Sequence, residues 1–176
     1  MISRVSSHLL FCEPERVLRQ SIVERNEYQT ITAIFSLTDS KVETAQTSFY
    51  DGIISQEIVS LKLNLTSEQL AVIRDRYNYV DISSEDIVID LKSNKQLLID
   101  FGTRNTVEVN RIFLKVQNIF AAFPIFDFIA ACVYYPALLV GHNAVLELNK
   151  CTELILWEQV DLVNKQLKTN TRISKI

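Results

Sequence analysis

Apolar and polar positions alternate through the first third of the chain. Residues 2–11 read as a strand, with Val5, Leu9 and Phe11 apolar among small polar neighbours. A Glu13-Pro14-Glu15 turn follows, then a strand from Val17 to Glu24 and a turn at Arg25-Asn26-Glu27. Tyr28–Leu37 is the cleanest strand: Ile31, Ala33, Phe35 and Leu37 share one face, and Thr30, Thr32 and Ser36 the other. Thr38–Thr47 reads as a polar loop. Phe49 and Tyr50 enter another strand, Asp51-Gly52 breaks or bulges it, and Ile53–Leu63 continues extended.

The period then changes. Thr66 and Gln69 have the spacing of a capping box, predicting a helix to about Arg76 with Leu70, Ile73 and Tyr77 on its apolar side. Ile87, Ile89 and Leu91 alternate, Ser93-Asn94 is a turn, and Gln96–Phe101 is a second run, so the pair reads as a hairpin. Asn105 can cap the next helix with Glu108 reaching back. Val109, Ile112, Phe113, Val116, Ile119, Phe120 and Phe123 recur at helical steps. Pro124 starts a further helix, Pro136 starts or kinks another, and Gly141 ends it. Val145–Leu148, Glu153–Val160 and a short segment near Arg172-Ile173 return to β structure. The fold class is α+β: a composite β-sandwich-like sheet formed from N- and C-terminal strands, with a central helical segment.

At 176 residues the chain is a single domain, with sandwich strands in 1–63 and 144–176 and a mostly helical part in 64–143. A net charge of −3 gives no nucleic-acid footprint. Cys12, Cys132 and Cys151 are odd in number and share no CxxC spacing, which predicts reduced thiols and a cytoplasmic location. The opening apolar run is too short for a signal peptide. Ile119–Val140 is long enough to span a bilayer but contains Pro124, Pro136 and Asp127, and an aspartate near a membrane helix centre costs about 2.5–3.5 kcal/mol. The expectation is a buried helix pair and no membrane.

Several segments, in order, resemble the deaminase-like members of the amidohydrolase superfamily. I-V-E-R-N-E-Y-Q-T-I-T-A-I-F (22–35) looks like that family's sandwich start, and F-Y-D-G-I-I (49–54) its lead-in to the first barrel strand. F-G-T-R (101–104) and the helix after it look like the end of the eighth barrel strand and its helix. Phe123–Gly141 is similar to the late helices. A-V-L-E-L-N-K (144–150) and E-L-I-L-W-E-Q-V-D-L (153–162) resemble the return to the sandwich. The resemblance implies a composite sandwich around a metal-bearing barrel.

The departures from that pattern carry the functional expectation. The family's metal, which makes hydroxide from water, sits on histidines and an aspartate. Where a His-x-His pair is implied the chain reads Ser55-Gln56-Glu57-Ile58, and Arg104 replaces the aspartate. A barrel needs about 200 residues, whereas fewer than fifty separate Ile54 from Gly102. The expectation is a truncated, non-catalytic relative with no catalytic residues, no metal and no cofactor. Arg104 and His142 are the candidate ligand-binding residues. His142 has a competing role as a helix-end histidine, and Arg104 as a salt-bridge partner. Cys151 beside Lys150 reads as a turn residue, Glu57 and Asp100 as single carboxylates, and Tyr134-Tyr135 as packing. Apolar helices without a barrel need cover, which predicts a homodimer through the helical region. Two roles follow: an assembly or interaction protein, or a small-molecule binding module using a vestigial pocket near Arg104.

Overall fold

Strand β1 (Ser3–Glu13) lies in the interior of the main sheet. The structure is a computed structural model describing residues 2–38, 46–84, 86–87, 89–102, 106–121 and 123–176. β2 (Arg16–Arg25) returns antiparallel to β1, and β3 (Ile31–Ser36) returns antiparallel to β2. β4 (Thr47–Gln56) joins the other side of β1 in parallel. Later in the chain come α1 (Leu61–Asn64), α2 (Ser67–Arg76), β5 (Asn78–Asp81), β6 (Leu97–Asp100) and α3 (Thr106–Phe120). α4 (Ile125–Ile129), a π-turn (Ala130–Tyr134) and α5 (Tyr135–Leu139) form one unbroken helical run. β7 (Leu154–Glu158) and β8 (Arg172–Lys175) then complete a six-stranded mixed sheet in the order β3-β2-β1-β4-β7-β8. The composite sheet expected from the two chain ends is present. The predicted polar loop at 38–47 lies mainly outside the described residues.

Successive residues on a strand face opposite ways, and two cores result. Phe11, Ile53, Ile155, Trp157 and Ile173 face the helices. Leu10, Cys12, Ile54, Leu154 and Leu156 face a second core that also holds Val5, Val23 and Ile31. Val5 and Leu10 are an odd and an even position in the same core, so β1 reverses its facing between them. The register to β4 breaks there, with Ser7 opposite Tyr50 and Leu9 opposite Ile53. Gln20, between the positions paired with Ser7 and Leu9 on β2, has φ 45°. The two stretches of β1 on either side of the break thus both contribute to the second core. The break is a bulge at Gly52 (φ +146°), where a Cβ would lie 2.0 Å from the Trp157 carbonyl oxygen.

The helical layer is pinned to the sheet through Phe128. Its ring lies 5.5 Å from Phe113, 5.3 Å from Phe120 and edge-on to Trp157 at 6.1 Å. Trp157 Nε1 in turn donates to Ser55 Oγ at 2.9 Å, so the buried indole N–H is satisfied. On α3, Phe113, Val116 and Phe120 are buried as expected, whereas Ile119 is 50% exposed. The Val109 and Ile112 side chains and the Asn105 cap lie outside the described residues. Both halves of the Thr66–Gln69 capping box are formed. Pro136 enters the helical run just after the π-turn, where Tyr135 N–H reaches back to the Ala130 carbonyl. The wider turn takes in a residue that has no N–H without ending the helix. No helix among the described residues is long and apolar enough to cross a membrane.

Three local expectations are corrected. Among the described residues Gln96–Phe101 forms no hairpin with 87–91: β6 pairs in parallel with β5. The Asn78 side chain holds the segment before β6 instead, donating to the Lys92 and Lys95 carbonyls and accepting from Lys92 N–H. The extended reading of Ile53–Leu63 ends at Gln56, and Leu61–Asn64 is helical. Val145–Leu148 is a loop that buries Leu146.

Candidate functional site

Parallel strands place their carboxyl ends side by side, the usual location for a ligand in an open α/β arrangement. β5 and β6 end at Asp81 and Asp100, which lie opposite each other in register. Asp100 is fully buried. Its Oδ1 accepts from Ser60 Oγ at 2.9 Å and Gly102 N–H at 2.8 Å. Its Oδ2 accepts from Lys62 N–H and the Tyr79 hydroxyl, both at 2.9 Å. Four donors on two oxygens satisfy the charge through N–H and O–H dipoles. Burial pushes the Tyr79 phenol up, and the Asp100 carboxylate it faces pushes it further.

Asp81 is held differently. It pairs with Lys62 Nζ, and its Oδ1 accepts from Ser83 Oγ at 2.6 Å and Ser83 N–H at 3.1 Å. Burial alone would raise its pKa, but Lys62 and Ser83 outweigh burial and hold it below the usual carboxylate value. Asp100, read from sequence as a carboxylate without a mate, therefore has Asp81 beside it. A general acid or base needs a lone pair or proton within reach of substrate. Here those positions are taken by the chain's own groups.

Arg104 lies outside the described residues. His142 is exposed at the end of α5. Its N–H bonds to the Ala137 carbonyl at 2.9 Å, and Gly141 N–H (φ +76°) to the Leu138 carbonyl at 3.1 Å. These are the two bonds of a Schellman cap, so the His142 backbone ends the helix. Its side chain lines a cleft of about 310 Å³ with Gln56, Glu57, Lys150 and Cys151. Lys150 Nζ donates to Gln56 Oε1, the Asn143 carbonyl and the Val145 carbonyl, which uses all three of its N–H groups. Burial lowers its pKa, and Glu57 and Glu147 offset part of that. Gln56 Nε2 donates to the Ala144 carbonyl, so the Gln56 amide and the Lys150 ammonium together tie the 143–151 loop to β4. Cys151 Sγ lies 3.1 Å from the Tyr28 carbonyl oxygen, and the residue is bridged to Thr30 just after the turn at 148–149 rather than in the turn itself. Tyr134 and Tyr135 meet edge-on at 5.4 Å and pack against the core. Among the described residues no group of three or more His, Cys, Asp or Glu could hold a metal ion.

Two buried polar groups were not singled out by the sequence pattern. Gln117 on α3 is buried, and neither amide atom has a hydrogen-bond partner among the described residues. Arg25 is 4% exposed; its Nη2 donates to the Ile176 carbonyl at 3.1 Å, while Nε and Nη1 have no partner among the described residues. Burial lowers its pKa. No protein-family model matches the chain, and no curated protein matches it at a significant level.

Proposed function

We propose that the chain is a non-catalytic, reduced relative of the deaminase-like amidohydrolases that works by protein association, first of all with a second copy of itself. The observation that carries this reading is the state of Asp100 and Asp81. Both stand where a ligand would be met, and both are engaged by Ser60, Lys62, Tyr79 and Ser83. Support for the ancestry comes from the composite sheet of both chain ends and from a parallel pair whose second strand leads into a long helix. The helical run 125–139 is covered largely by the chain's own residues, with Phe128, Ile129, Cys132 and Val133 fully buried. Leu114, Ile119 and Leu138 remain about half exposed, so the helical layer calls for less cover than its sequence pattern implied. The buried free thiols of Cys12 and Cys132 extend the proposal to a reducing, cytoplasmic setting.

Native mass spectrometry of the purified chain tests this. A dimer with no retained small molecule is expected, and a monomer at micromolar concentration rejects the reading. A small-molecule module is the second reading, favoured by the cleft beside His142. It predicts a reproducible extra mass, and a ligand-induced rise in thermal stability that is lost in Arg104→Ala or His142→Ala.

A further inference from the structure

We infer that two copies of the chain join edge to edge through β3, antiparallel about a two-fold axis at Ile34, so that the two sheets become one. This rests on the self-association proposed above and locates it. β3 is an outer strand of the sheet. Among the described residues its outer side is occupied only at the start, where Ile31 N–H bonds to the Lys150 carbonyl and Asn149 N–H to the Ile31 carbonyl. From Thr32 to Ser36 no further strand is paired to that side among the described residues. An open row of backbone donors and acceptors is a template for another strand.

Edges that must stay single carry charges, proline or a bulge. The opposite edge, β8, is four residues long, has Arg172 and Lys175 at its ends, and packs against α3. β3 has neither charge nor proline: I-T-A-I-F-S contains no charge, no proline and no glycine, and its register irregularity against β2 is confined to its start, at Thr32. Thr32 and Ser36 are exposed, and Ala33, Ile34 and Phe35 are half-buried, so apolar surface is left uncovered on both faces of the edge.

The order of residues selects a second copy as the occupant. Thr32-Ala33-Ile34-Phe35-Ser36 has the same polarity read in either direction. With Ile34 on the axis, Ala33 faces Phe35 of the second copy, small against large. Thr32 faces its Ser36, hydroxyl against hydroxyl. Opposed pairs of these kinds stabilise an antiparallel ladder, whereas like charges directly opposite destabilise it. A two-fold contact needs this self-complementarity.

The test uses two double variants at the exposed ends of the strand, followed by native mass spectrometry at micromolar concentration, with circular dichroism to confirm folding. Thr32→Lys with Ser36→Lys sets lysine against lysine twice and is expected to halve the mass from twice 20.2 kDa to 20.2 kDa. Thr32→Lys with Ser36→Glu sets lysine against glutamate and is expected to remain dimeric. A wild-type monomer rejects self-association altogether. A wild-type dimer that survives the double-lysine change rejects the β3 edge while leaving self-association standing. Loss of the dimer in both variants rejects this register. Open-ended oligomers in the wild type reject the two-fold axis.

Discussion

The Tyr79 hydroxyl and the Lys62 backbone N–H converge on one oxygen of Asp100, each at 2.9 Å. The buried carboxylate thereby ties α1 to β5 and β6. Asp100→Asn would set an NH₂ against donors at one of its two positions. That leaves buried donors facing a donor, and the expected loss is about 3 kcal/mol or more. Tyr79→Phe removes one hydrogen bond to a charged acceptor and should cost about 1.5–3 kcal/mol. Urea denaturation of both variants checks the ranking, and a smaller loss in Asp100→Asn than in Tyr79→Phe would contradict the described network.

Asp81 makes stability depend on acid. Lys62 and Ser83 hold its folded pKa below the unfolded value of about 3.9. Its contribution is therefore present above about pH 4 and is lost as pH falls through the lower folded value. Asp81→Asn should melt lower than wild type near pH 7, and the gap should narrow toward pH 2. Melting temperatures across that range decide the matter: two parallel curves would mean that Asp81 adds no pH-dependent stability.

Local patterns were legible in the sequence because their causes are local. The Thr66–Gln69 capping box needs two side chains three residues apart, and both of its bonds form. Alternation located β1, β2 and β6 but could not name their partners. The 87–91 run alternates as a strand would, yet the Asn78 side chain takes the backbone of Lys92 and Lys95. The Asp81–Asp100 pairing was hidden for the same reason. Each aspartate closes a short apolar run, N-Y-V-D and L-L-I-D, but only the parallel register brings them together. The face reversal of β1 between Val5 and Leu10 depends on neighbours in β2 and β4. Ile119 is exposed because it lies off the stripe formed by Phe113, Val116 and Phe120.

Gln117 gives a prediction of the opposite sign. A buried amide with no partner for either atom among the described residues carries a desolvation cost without compensation. Gln117→Met keeps much of the length and removes the polar atoms, so stability should rise by about 1 kcal/mol. The midpoint of a urea titration reads this directly. A fall of similar size would show that the amide is satisfied in solution by something bound, and would favour the small-molecule reading.

Gly52 and Gly141 both have positive φ, at +146° and +76°, but only one is confined. A Cβ on Gly141 meets nothing within 4 Å, so Gly141→Ala should cost about 1–2 kcal/mol for the left-handed backbone alone. A Cβ on Gly52 would lie 2.0 Å from the Trp157 carbonyl oxygen, a backbone atom that cannot move without shifting β7. Gly52→Ala must therefore open the β4–β7 ladder or flatten the bulge, and either disturbs Trp157 and the packing of Phe128 on it. The expected loss exceeds the Gly141 value and reaches about 4 kcal/mol, in the range of a disrupted core. Near-ultraviolet circular dichroism of the single tryptophan would report the disturbance. Equal losses at the two glycines would mean that the close approach of β7 to Gly52 does not constrain that position.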